Sequence, residues 1–210
     1  MNRHAINCLP FTVHQLLTNE NSLLKSFLRH LRDLAGLPSP ISLPDEIYLP
    51  ALGQRWTVRY RKTASRSIQA RSNGSGVLIV SGKVEDRREV ILGLRRWLVR
   101  QTRASLAPWL DELSAQAGLP FGTVSVRGQR TRWASCSSRG NINLNYRLLF
   151  LSPEVVRYIL NHELCHTVHL NHSRGFWNMV GSLEPDYRIF NSQAKKGMEE
   201  VPVWAKSRDS

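Results

Sequence analysis

Apolar and polar positions change period several times along the chain, and each change marks an element. After Ser22, residues Leu23, Leu24, Phe27, Leu28, Leu31 and Leu34 recur at helical spacing. Gly36 and the prolines Pro38, Pro40 and Pro44 close that helix and form a linker. From residue 47 the period shortens. Extended segments at 47–49, 55–61, 67–71 and 77–80 are separated by turn residues at Gly53, Asn73-Gly74 and Gly76, a pattern that predicts successive hairpins of an antiparallel sheet. A long helix is predicted over 85–113. Val90, Ile91, Leu94, Trp97 and Leu98 form its core face, Arg88, Arg95, Arg96, Arg100 and Arg103 lie largely opposite, and Pro108 should kink or end it. Strands at 123–126, 132–135 and 141–144 then make a small second sheet, followed by a helix from residue 152 and two shorter ones after Arg174 and Pro185. The pattern is α+β, with 1–46 a helical extension and linker and 47–205 the main domain.

The helix from residue 152 carries the candidate chemistry. Ser152 can cap it, Pro153 suits its first turn, Glu154 complements its dipole, and no Gly or Pro interrupts it before Asn171. Val155, Ile159, His162, His166 and His169 fall on one face with Glu163 beside them, while Val156, Leu160, Leu164 and Val168 make the other faces apolar. Paired histidines on a helix buried on most sides are either ordinary core groups or metal ligands. The pattern His162-Glu163-x-x-His166 favours zinc, which in a catalytic site takes three protein ligands and leaves a fourth position for water. His172 is the expected third ligand, brought back by a chain reversal at Asn171, a residue that tolerates the left-handed conformation. His169 competes, but one turn further along the same helix it would point parallel to the first two rings instead of converging on them. Glu163, near the metal without being a ligand, could take a proton from a zinc-activated water and pass it to a leaving amine, which is peptide-bond hydrolysis.

Two further side chains are weighed beside these. Tyr187 is a candidate donor to a developing oxyanion, against the alternative of an ordinary core tyrosine. Cys136 with a histidine base would make a thiol enzyme, but only nearby arginines could lower its pKa, and an inert thiol is the favoured reading.

With these residues the chain resembles the YgjP-like metallopeptidase family, relatives of the SprT and WLM zinc proteases in the gluzincin-like group. The resemblance rests on HELCH at 162–166, NHSRGFW at 171–177, PDY at 185–187 and QRTRWASCSSRGNINLNYRL at 129–148. It covers about the last ninety residues and, by general pattern, the region from Ile47 onward. It implies a small sheet packed on a zincin-type HExxH helix, His162, His166 and His172 as Zn2+ ligands, Glu163 as catalytic acid/base, and a protein or peptide substrate. Two positions depart from the family pattern: Ala134 stands where Gly is expected, and Cys165 where a small apolar residue is more usual. The first questions local backbone geometry, the second only packing.

Charge adds a partner. The 210 residues carry a net +13, with thirteen basic against three acidic residues over 55–103 and five against none over 127–147. A basic surface of this kind predicts sequence-independent association with DNA or RNA through phosphates, or else a merely solvated face. A zinc-stabilised nucleic-acid-associated protein with little proteolytic turnover is therefore the alternative to the peptidase. Three cysteines without a Cys-x-x-Cys pair argue against a disulfide framework, and no apolar run reaches membrane-spanning length, so a cytoplasmic protein without a membrane anchor is expected.

Overall fold

The structure, a computed structural model, describes residues 41–206. The predicted helix near the N-terminus lies outside them. Apart from Ile41, the described residues belong to the second of two units into which the chain divides, Ser42–Ser210.

Strand β1 (Glu46–Leu49) passes through a 3-10 turn, Pro50–Leu52, that ends on Gly53 at φ 62° and leads into β2 (Gln54–Lys62). Strands β3 (Gln69–Ser72) and β4 (Val77–Gly82) form the second hairpin. The sheet order is β1-β2-β4-β3, and β2 runs parallel to β4, with Val58 opposite Leu78. The expected antiparallel succession is thus corrected to two antiparallel hairpins joined in a mixed sheet. The swap places the most apolar strand, with Leu78 and Val80 fully buried, in the middle. Polar β3 takes the edge, where unpaired backbone is tolerated.

Helix α1 (Arg87–Ala117) starts where the Asp86 carboxylate accepts the Glu89 N–H at 3.2 Å, and ends at Gly118 with φ 64°. It runs on through Pro108, so of the two outcomes expected there, a kink or an end, the proline does not end it. An interior proline costs about 3 kcal/mol, but Leu106, Leu110 and Leu113 are buried on either side of it. Each contributes roughly 1.5–3 kcal/mol, so packing carries the helix through. At Gly93 a Cβ would come within 2.4 Å of Ile68 Cγ2, which marks how closely α1 approaches the chain entering β3.

The second sheet, of order β5-β7-β6, comprises β5 (Val124–Arg127), β6 (Ala134–Cys136) and β7 (Ile142–Asn145). β5 is parallel and β6 antiparallel to β7, which leaves β6 at an edge facing the next helix. A buried 3-10 segment, Tyr146–Phe150, delivers the chain to α2 (Pro153–Cys165). Helices α3 (Arg174–Leu183), α4 (Tyr187–Gly197) and α5 (Val203–Lys206) complete the unit. Helix α2 packs against α1, α3, α4 and β6, so nine of its thirteen residues are buried. None of the described helices is long and apolar enough to cross a membrane.

Candidate metal centre

Helix α2 ends at Cys165, one residue before the second histidine. His166 keeps a helical backbone (φ −71°, ψ −12°), and the chain then turns as the N–H groups of Thr167, Val168 and His169 bond to the carbonyls of Leu164 and Cys165. Among the described residues only glycines have positive φ, so a left-handed Asn171 is not what ends the helix. The Thr167 hydroxyl, donating to the Leu164 carbonyl at 2.8 Å, satisfies one of the terminal carbonyls instead. His169 is therefore not a continuation of the helix face. Its carbonyl oxygen accepts a hydrogen bond from His166 Nδ1 at 2.8 Å, and its ring lies against Gly175.

The turn returns His172 to the first two histidines. Nε2 of His172 lies 3.1 Å from Nε2 of His162, and one ring nitrogen from each of His162, His166 and His172 sits within 4.8 Å of the others. Ser173 fixes the return by capping α3, its hydroxyl accepting the Phe176 N–H at 3.3 Å. Phe176, fully buried, then meets all three imidazoles, with ring centroids 4.9, 4.5 and 4.8 Å from those of His162, His166 and His172. Trp177 stacks on His172 at 5.5 Å, and Tyr187 stacks on Trp177 at 5.4 Å. Tyr187 thus buttresses the third histidine through a neighbour, and it lines neither cleft beside the histidines.

The donor set suits a metal in its protonation state as well as its geometry. Burial and the two neighbouring imidazoles push His162 down to about 3, and burial lowers His166 too, so both rings are neutral near pH 7. With Nδ1 of His166 donating to the His169 carbonyl, its Nε2 keeps a free lone pair. Tyr158 Oη stands 3.4 Å from Nδ1 of His162 and can fix that ring in the same tautomer.

Glu163 adjoins this cluster and is only 6% exposed. The Cys136 N–H bonds to its carboxylate, but Oε2 is buried without a partner. Burial pushes the carboxyl up to about 7, opposed by that hydrogen bond and by the charge of Arg132. An orphaned, proton-accepting oxygen beside three converging imidazoles fits a site that takes up a divalent ion and a water. A cleft of ≈ 370 Å³ opens over these groups, walled by Ser135 and Cys136 of the edge strand. The Cys136 thiol is raised by burial and by Glu163, the opposite of an activated nucleophile. Cys165 is fully buried and pushed up to about 11, a packing residue.

The opposite side of α2 holds a second carboxylate. Glu184, 1% exposed, accepts from Arg157 Nε at 2.7 Å and Nη2 at 2.9 Å and from Asn161 Nδ2 at 2.9 Å. This clamp ties the helix residue preceding His162 to the end of α3.

The YgjP-like metallopeptidase domain model matches residues 6–196. The chain belongs to the YgjP-like metallopeptidases. Its substrate class is accordingly protein or peptide, and its reaction requires a divalent metal. Two solved metallopeptidase zymogens are similar to parts of this YgjP-like chain. Abylysin of Pyrococcus abyssi is 26% identical, covering 45% of this chain and 95% of its own, with a TM-score of 0.40. Jannalysin of Methanocaldococcus jannaschii is 18% identical, covering 42% and 92%, with a TM-score of 0.38. No curated protein matches the chain.

Proposed function

We propose that the protein is a zinc peptidase in which His162, His166 and His172 hold the ion and Glu163 is the general base and then the general acid. The observation that carries this reading is the unpartnered Glu163 Oε2 beside three converging imidazoles. Imidazole donors in a three-ligand set suit zinc. Bound there, zinc would supply Lewis acidity, lowering the pKa of a water and polarising the scissile carbonyl. Glu163, pushed up to about 7, is poised to accept a proton from the attacking water and return it to the leaving amine. The edge of β6, walling the cleft, can pair with an extended substrate backbone.

The test is a pair of variants. Glu163→Gln should retain one zinc per chain and the circular-dichroism spectrum while peptide hydrolysis falls by about 10³-fold. His172→Ala should lose the zinc, whereas His169→Ala should keep it, because only the His169 carbonyl serves the site. A metal-loaded Glu163→Gln protein with near-normal turnover would remove Glu163 from the chemistry.

Association with DNA or RNA is proposed as a second property, best carried by arginines whose guanidinium groups are not already used within the fold. Arg95 bonds the Trp204 carbonyl, Arg96 that of Ile68, Arg100 that of Ala70, and buried Arg147 those of Gln129, Ala205 and Lys206. These four are partly or wholly structural. Arg59 and Arg61 on β2 and Arg71 on β3 are exposed, and their side chains have no hydrogen-bond or ion-pair partner among the described residues. Arg59 and Arg71 lie in one row across the sheet, each in register with Ile79. Neutralising Arg59, Arg61 and Arg71 together should flatten the slope of log affinity against log salt by roughly 2–3 for duplex or single-stranded DNA. No affinity at 50 mM salt would reduce this surface to a solubility feature.

A further inference from the structure

Two clefts flank Glu163, and they share one lip. The larger contains the three histidines. The smaller, ≈ 230 Å³, is walled by Trp133, Tyr158, Ile159 and Ala194, with Asn191 among its polar groups. Both are lined by Arg132, Ala134, His162 and Glu163. Across the two linings Glu163 is the only acidic side chain and Arg132 the only lysine or arginine.

Arg132 is held by its backbone and free at its tip. Fully buried Asn145 donates from Nδ2 to the Arg132 carbonyl at 2.8 Å and to the Gln129 carbonyl at 2.8 Å, which fixes the approach to β6. The guanidinium is exposed and has no acceptor among the described residues. Arginines 95, 96, 100, 147 and 157, in contrast, all bond protein oxygens. Its charge reaches Glu163 without forming an ion pair with it, so the general base is left available. A planar donor fork with no acceptor among the described residues, in clefts whose only acidic side chain is a Glu163 it does not pair with, matches a carboxylate. The apolar walls behind it suit the methylenes or backbone that would carry that carboxylate.

We propose that Arg132 is a specificity-determining residue that binds a substrate carboxylate close to the scissile bond. The inference rests on the peptidase reading of the site. The carboxylate can belong to an Asp or Glu side chain or to the free C-terminus of a peptide.

The test uses the zinc-loaded full chain and fluorogenic peptides of one parent sequence. Each carries Glu, Gln or Lys at the positions flanking the cleaved bond, and each is made as C-terminal acid and as amide. Wild type should favour Glu over Gln, or acid over amide, by about tenfold in kcat/KM. The first preference identifies a side chain as the source, the second a chain end. In Arg132→Gln the ratio should collapse to within about twofold, Arg132→Lys should keep part of it, and Arg132→Glu should turn it towards Lys-containing peptides. Ratios cancel any change that loss of the charge makes to Glu163 itself. The same ratios measured as Kd on zinc-loaded Glu163→Gln protein, which should not turn over, separate recognition from chemistry. If no peptide is cleaved but the acid preference survives in binding and depends on Arg132, the peptidase reading fails while the carboxylate contact at Arg132 stands. Equal ratios in wild type and Arg132→Gln, by both measurements, overturn it.

Discussion

The two faces of α2 treat their carboxylates in opposite ways. On the face towards Leu183 and Pro185, Glu184 is saturated by one arginine and one amide and holds two helices together. On the face towards β6, Glu163 is also buried but keeps Oε2 without a partner, and burial raises its carboxyl to about 7. Burying an unpaired polar oxygen costs stability. A fold that completes the hydrogen bonds of one carboxylate and leaves the adjacent one incomplete has its structural and chemical groups sorted by that difference. The contrast also separates fold from reaction experimentally, because each face can be damaged without the other.

The largest effect on this contrast should come from Glu184→Ala. It strands buried Asn161 Nδ2 and unpairs Arg157, whose side chain is 45% exposed and can be hydrated, so a loss of about 3 kcal/mol is expected. Urea unfolding of the metal-free protein measures it. Glu163→Gln in the same assay should change stability little or raise it, since it removes a carboxylate whose ionised form the fold disfavours. Equal losses in the two variants would erase the distinction between the faces.

A smaller effect should follow from Tyr158→Phe. The hydroxyl is 3.4 Å from His162 Nδ1, a long contact, and removing a group that orients a ligand ring weakens metal binding by roughly 10–100-fold. The lower end, about tenfold, is expected here, read by competition with a chelator. His166, anchored by the His169 carbonyl, should be unaffected.

These two faces were unequally legible. His162, Glu163 and His166 lie within five residues, and helical spacing alone brings them together. Tyr158 is four residues before His162 on the same face, so that spacing could have identified it too. Glu184, by contrast, meets Arg157 and Asn161 across 27 and 23 positions, and no local period carries such a pairing. Phe176 and Trp177 were visible as part of a family motif, but their stacking on the imidazoles depends on the turn at 166–168. That turn was expected at Asn171 because residue preferences indicate which positions tolerate a left-handed backbone, not which carbonyls a helix end will use. The parallel β2–β4 pair was hidden for a related reason. Alternation fixes which face of a strand is buried, whereas the identity of its neighbour is decided by burial of the whole sheet.

The smallest expected effect concerns Ala134, where the family pattern has Gly. A glycine requirement would arise from positive φ or from a backbone approach that a Cβ would obstruct. Neither holds: Ala134 lies in β6 with no positive φ, paired with Leu144, and is 7% exposed. It lines both clefts, together with Glu163 and His162. Ala134→Gly should therefore lose about 1 kcal/mol, from the greater freedom of glycine in the unfolded chain and the buried methyl removed. Zinc content should be unchanged. Activity on small peptides should stay within about twofold, because the groups on the chemical face of α2 keep their partners. A gain of tenfold or more in Ala134→Gly would mean that the methyl obstructs substrate pairing with β6, and that the edge strand, not α2 alone, limits the reaction.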